Sequence, residues 1–95
     1  MNNRALQIQN ALRLVQFELD AMNQQNMNIQ AYLSPVANEI RMSAIMQPYY
    51  NNILNHLINN NISYIEKCSQ VERPGLVIVS YIIEFTVESL ANLFL

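Results

Sequence analysis

Apolar residues recur at alternating spacings of three and four along both halves of this chain, and each series is broken once, near its centre, by an asparagine. The first runs Ala5, Ile8, Leu12, Val15, Leu19, Met22, then Asn26, then Ile29 and Leu33. The second runs Tyr50, Leu54, Leu57, then Asn61, then Tyr64, Cys68 and Val71. Such spacing puts each series on one face of an α-helix, the seam of a coiled coil or bundle. An asparagine in that seam lowers stability but sets register and partner number, because its amide must find another polar group there. The pattern predicts an all-α chain in which Asn26 and Asn61 meet each other, or their dimer mates, across the seam. On that reading, leucine at either position raises thermal stability and changes oligomeric state or register.

The first helix is expected over 3–33. Leu6, Leu14, Phe17 and Tyr32 form a second apolar patch on its far side, which implies a helix sandwiched between neighbours. A rival reading ends this helix near Met22 and makes Asn23 to Asn28 a loop, since asparagine favours turns. The continued spacing through Ile29 and Leu33 favours the longer helix. Ser34-Pro35 reads as an N-cap followed by proline at the first helical position. A short helix over 35–47 follows, with Val36 and Ile40 facing inward, until Pro48 ends or kinks it. A third helix spans 49–72, with Asn61 in the middle of its apolar arc. Arg73-Pro74-Gly75 then concentrates the turn chemistry of the chain.

The last segment, 76 to about 94, reads two ways. As a helix it aligns Ser80, Glu84, Glu88 and Asn92 opposite Val79, Ile82, Ile83, Thr86, Val87, Leu90 and Phe94. As a strand it alternates Val77, Val79, Tyr81, Ile83, Phe85 and Val87 against Ser80, Glu84, Thr86 and Glu88, and its β-branched and aromatic content suits that state. A strand needs a partner, and the rest of the sequence reads as helix, so the helix is preferred. A strand would survive by pairing with another chain. The segment is also long enough to anchor in a membrane, although Glu84, Glu88 and Asn92 oppose insertion. The fold expected is therefore a small bundle of three to four helices in one domain, 1–95, completed by dimerisation.

Charged residues make up 13% of the 95 residues, half the usual share of about a quarter. Amides supply the surface polarity instead, and they do not repel one another, so self-association is weakly resisted. An AT-rich genome would give the same Asn- and Ile-rich composition. The net charge is −2, and Arg4, Arg13, Arg41, Lys67 and Arg73 are scattered, whereas nucleic-acid binders carry a basic patch. Cys68 is alone, which precludes an intrachain disulfide or a cysteine-rich zinc site. The start, Met1-Asn2-Asn3-Arg4, does not resemble a secretory signal, and an intracellular, soluble protein is expected.

Candidate chemistry is sparse. His56, the single histidine, has Asn52, Asn59 and Asn60 as its sequence neighbours one turn away, which are not metal ligands, so it reads as an exposed structural residue. Glu84 and Glu88, like Glu18 and Asp20, read as a solvated stripe rather than an acid–base pair. Cys68 lies three helical turns from His56, and one glycine, Gly75, leaves no phosphate-cradling loop. Tyr49 and Tyr50 suit helix anchoring better than base stacking. Met22 and Met46 suit core filling, and Met27 suits an exposed contact. No enzyme activity, cofactor or metal is expected.

The function expected is a protein–protein interaction or assembly module, a helical homodimer or adaptor. Its interface would be Ile8, Leu12, Val15, Leu19, Met22, Asn26, Ile29, Leu33 and Asn61. One alternative is a nucleic-acid-binding helical dimer that doubles Arg4, Arg13 and Arg41 across a two-fold axis. Another is a membrane-associated protein built on the C-terminal segment. Small size and scarce charge suit an accessory protein of a virus, phage or bacterium.

Overall fold

In the structure, a computed structural model that describes residues 3–34 and 36–87, the chain is α+β rather than all-α. Its elements run α1 (Asn3–Gln25), β1 (Ala31–Ser34), β2 (Glu39–Met42), α2 (Gln47–Asn59), β3 (Ser63–Arg73) and β4 (Leu76–Thr86). The strands form one antiparallel sheet in the order β1-β2-β4-β3. Both helices cover the same face. Ala5, Ile8, Ala11, Val15, Leu19 and Met22 of α1 and Tyr50, Ile53 and Leu57 of α2 join Ile40, Met42, Ile83 and Phe85 of the sheet in one core.

On α1 the stripe Ala5, Ile8, Val15, Leu19 and Met22 is buried, with Ala11 rather than Leu12 at its centre. It packs on a sheet instead of a helical seam, and the helix ends at Gln25 rather than at 33. After Gln25 the Asn26 side chain takes over: its Oδ1 accepts from the Asn28 N–H at 2.9 Å, while the Asn26 backbone carbonyl accepts from the Ile29 N–H at 3.0 Å. An asparagine that bonds its own downstream backbone offers the chain a turn in place of another helical turn. Ile29 and Leu33 keep the helical spacing by coincidence and reach the core from the loop and β1. The rival reading, with a break among Asn23 to Asn28, is the one the structure follows.

The helix expected over 35–47 is replaced by a turn and β2. Ser34 Oγ does accept from the Ala37 N–H, at 3.4 Å, so the capping contact forms without a helix behind it. Asn38 then takes a left-handed backbone, φ 54°, and reverses the chain into β2. Pro48 does not end a helix; it sits in the first turn of α2, where its missing N–H removes no intrahelical bond.

The helix expected over 49–72 stops at Asn59 for a specific reason. Asn61 has φ 55°, and the Asn61 and Ile62 N–H groups bond back to the carbonyls of Ile58 and Leu57 at 3.1 and 2.9 Å. These two bonds are the Schellman closure, with asparagine in the left-handed position usually held by glycine. Ile62 and Leu57 are both buried, which adds the apolar contact that accompanies the motif. Arg4 seals the same end, its guanidinium donating to the Asn60 and Asn61 carbonyls at 2.6 and 3.0 Å. Asn61 is therefore a helix terminator, not a buried seam residue.

The segment after Gly75 is a strand, and its partner lies in the same chain. β3 and β4 pair along their full eleven-residue lengths, from Ser63–Thr86 to Arg73–Leu76. Pro74-Gly75 closes the hairpin. Proline pre-sets the first turn position, and Gly75 takes φ 75°, a value that disfavours any side chain. The helix reading of 76–86 falls with this pairing; Glu88, Leu90, Asn92 and Phe94 lie outside the described residues. None of the described helices is long and apolar enough to cross a membrane.

Asn61→Leu is accordingly expected to lower stability by about 1 to 2 kcal/mol, the usual strain of a side chain in the left-handed region. Asn61→Gly is expected to leave stability within about 1 kcal/mol of wild type. Urea unfolding of the two variants reads the difference directly.

Candidate interaction surface

β3 and β4 are long, and the rest of the molecule covers only part of them. β2 pairs with β4 from Tyr81 to Glu84 and no further. Along β4, Ile83 and Phe85 are buried, Val79 to Tyr81 half-buried, and Leu76 to Ile78 exposed. The distal half of the hairpin thus projects as an arm from a molecule 51 × 24 × 17 Å across. Strands alternate faces, so Tyr64, Glu66, Cys68, Gln70 and Glu72 face the helix side with Phe85, Ile83, Tyr81, Val79 and Val77. Ile65, Lys67, Ser69, Val71 and Arg73 face away, beside Glu84, Ile82, Ser80, Ile78 and Leu76.

The root of the arm is tied down. On the helix side the Tyr50 hydroxyl donates to Glu66. Burial first, and then the Glu66 carboxylate, push the Tyr50 phenol well above the usual tyrosine range, since both disfavour a second negative charge. On the other face Lys67 pairs with Glu84 at 2.5 Å and Arg41 with Glu39 at 2.8 Å. The hydrogen bond and charge of Glu39 raise the Arg41 guanidinium further. Lys67 and Arg41 are the register partners of Ile82 on either side, and Ile82 is buried although it lies on the face without helices. Long cationic stems cover apolar surface in this way while their heads stay wet.

The tip is not covered. Leu76, Val77, Ile78 and Val71 are 56, 52, 46 and 44% exposed, and Ile65 nearer the root is 60% exposed. Large apolar side chains gathered at the end of an arm are the feature that marks interaction surfaces, in contrast to isolated ones.

The two sheet edges differ. β1 is four residues long, and Asn23 of α1 blocks it: the amide nitrogen donates to the Ala31 carbonyl at 2.8 Å, and Oδ1 accepts from the Ala31 N–H at 3.0 Å. One side chain therefore stands in for a neighbouring strand. Among the described residues, nothing covers the outer edge of β3 in this way. A groove of about 180 Å³ opens where β2 ends beside β4, lined by Tyr32, Arg41, Met42, Ser43, Ile78 and Val79 among others.

The structure disperses the residues singled out from the spacing. Ile8, Val15, Leu19, Met22 and Ile29 are buried in the core of one chain, with Leu12 and Leu33 packed against it. Asn26 and Asn61 are exposed turn residues at opposite ends of the helical layer. Of the second α1 patch, Leu6, Leu14, Phe17 and Tyr32 are all exposed, Phe17 at 65%. The three arginines are not brought together. Arg4 holds the end of α2, Arg41 is paired with Glu39, and Arg13 lies on the exposed side of α1.

His56 gains a neighbour that local spacing could not reveal, Glu18 of α1, 3.4 Å from its Nε2. The same carboxylate accepts from Asn52 at 3.3 Å. These contacts join the polar sides of the two helices. Among the described residues no group of three or more His, Cys, Asp and Glu side chains could hold a metal ion. Met27 is 92% exposed in the turn after α1. The arm itself was missed because its distal residues are exposed on both faces and show no alternation of apolar and polar. Arg73-Pro74-Gly75 between two β-rich runs was the available signal.

No family model, curated protein or solved structure matches the chain.

Removing the Tyr50 hydroxyl tests how the root is held. Tyr50 keeps its proton in the folded chain at pH values where the unfolded chain loses it. The stability this contributes is complete below pH about 10 and lost as pH rises beyond it. Tyr50→Phe is expected to be less stable than wild type near neutrality, by about 1 to 3 kcal/mol for a hydrogen bond to a charged group. The gap should narrow above pH about 10, measured by urea unfolding across the alkaline range.

Proposed function

We propose that this chain is a non-enzymatic protein–protein assembly module whose working element is the β3–β4 arm. The observation that supports this is the exposed apolar tip, Val71 with Leu76, Val77 and Ile78, held out beyond the helices by a continuous ladder. Apolar tip residues on a stiff two-stranded arm gain on association what the monomer cannot supply, about 25 cal/mol for each Å² of apolar surface covered. The root restricts the arm's direction through the Tyr50–Glu66 contact and the pairing of β4 with β2, and a pre-ordered surface loses less entropy on binding. The low charge and amide-rich surface fit the same role, because little repulsion opposes contact.

A double variant, Val71→Ser with Ile78→Ser, should separate the tip from the fold, since both side chains are exposed. Wild type is expected to sediment above its monomer mass of 11.0 kDa in a concentration-dependent way. The variant should move toward that mass with an unchanged far-ultraviolet circular dichroism spectrum. A wild type that stays monomeric at every concentration, and that forms no protein adduct in cells from a photo-reactive residue at Ile78, contradicts the reading.

A further inference from the structure

β3 is a sheet edge, and the direction of its free backbone groups follows from the turn. Two residues, Pro74 and Gly75, separate the paired Arg73 and Leu76, so Arg73 and Leu76 must exchange their hydrogen bonds with each other. Hydrogen-bonded pairs then recur at Val71, Ser69, Lys67, Ile65 and Ser63 of β3. The N–H and C=O groups of Tyr64, Glu66, Cys68, Gln70 and Glu72 consequently point out of the sheet. The bond from the Phe85 N–H to Asn38, at 3.0 Å on the β2 side, has the parity this requires of β4. The register is unbroken over eleven residues, with no proline and no bulge to spoil the edge. Natural edges are usually blunted by such devices, as Asn23 blunts β1 here.

Resting on the reading of the arm as an association element, we propose that the partner at this edge is a second copy, with β3 pairing antiparallel to β3 about a two-fold axis at Cys68. An axis perpendicular to the sheet preserves faces, so it joins two four-stranded sheets into one, with every helix on the same side.

The sequence of β3 selects the register. Centred on Cys68, all of Ser63–Arg73 pairs: Ile65 meets Val71 of the other copy, Tyr64 meets Glu72, Glu66 meets Gln70, Lys67 meets Ser69, and Ser63 meets Arg73. No like charges oppose, and the two exposed apolar residues of the outer face cover each other twice by symmetry. A register centred on Lys67 puts two lysines opposite one another, and one centred on Glu66 puts two glutamates there. One centred on Ser69 sets Glu66 against Glu72. Like charges directly opposite destabilise a strand pair. The Cys68 register is the longest of these and avoids them. It lets five outward residues on each strand form hydrogen-bonded pairs, about ten backbone bonds in all.

Cys68 is exposed and reports the axis. In a hydrogen-bonded antiparallel pair the two Cα atoms stand about 5.5 Å apart, within the range a disulfide spans. Copper-phenanthroline oxidation of wild type is expected to give a disulfide-linked dimer. It should form on the order of tenfold faster than with Cys68→Ser/Gln70→Cys, whose thiols lie about four residues out of register at some 3.4 Å each. Gln70→Pro removes an outward N–H and leaves the β4 ladder intact, so it should sediment at 11.0 kDa with its hairpin signals retained. Cys68→Ser should remain dimeric without a covalent link. A dimer whose position-70 thiols cross-link as fast as Cys68, or that survives Gln70→Pro, overturns the β3 pairing while leaving the apolar arm as the association element. A wild type that is monomeric throughout overturns this inference, and partner adducts at Ile78 would then still support the arm.

Discussion

The ladder between β3 and β4 is the constraint on which the rest of the molecule depends. Eleven consecutive residue pairs commit the C-terminal third of the described chain to strand, although β3 borders on sequence with helical spacing. β4 then serves as the floor of the core, offering Ile83 and Phe85 to the helices and lending its other edge to β2. Without it, β1 and β2, four residues each, would be too short to hold a sheet together. The apolar stripe of α1 would then have nothing flat to lie on. The same ladder, continued past the end of β2, becomes the arm.

What was legible in the sequence divides along a physical line. The inward face of α1 follows 3.6-residue periodicity because one side of that helix is buried throughout, and Ala5, Ile8, Val15, Leu19 and Met22 are core residues as their spacing indicates. The turn at Arg73-Pro74-Gly75 was equally plain. The ends of the helices were not. Asn26 and Asn61 occupy positions a heptad would assign to the seam, yet each acts as a terminator, one through its side chain and the other through a left-handed backbone. Spacing records where a residue would lie if the helix continued; it does not record whether an amide ends the helix first.

The candidate surface was harder to read, for a related reason. Alternation marks a strand when one face is buried, and the distal arm has both faces exposed. Tyr64, Cys68 and Val71 fell on helical spacing, so the true partner of β4 was counted as helix. The β-branched run of β4 then seemed to lack a mate within the chain. Most of the residues that helical spacing assigns to an interface serve the core of a single chain. The uncovered apolar groups lie on the arm, along Leu6, Leu14 and Phe17 of α1, at Ile58 of α2, and in the turns at Met27 and Val36.

Among the described residues the sheet has one guarded edge and one open edge, and the open edge is complementary to itself in a single full-length register. Amide hydrogen exchange followed by nuclear magnetic resonance tests this most directly, because inward and outward amides alternate along β3. If two copies pair there, the amides of Glu66, Cys68 and Gln70 will exchange as slowly as those of Lys67 and Ser69 in concentrated solution, and will speed up on dilution. Outward amides that exchange freely at every concentration, beside protected inward ones, would contradict the account.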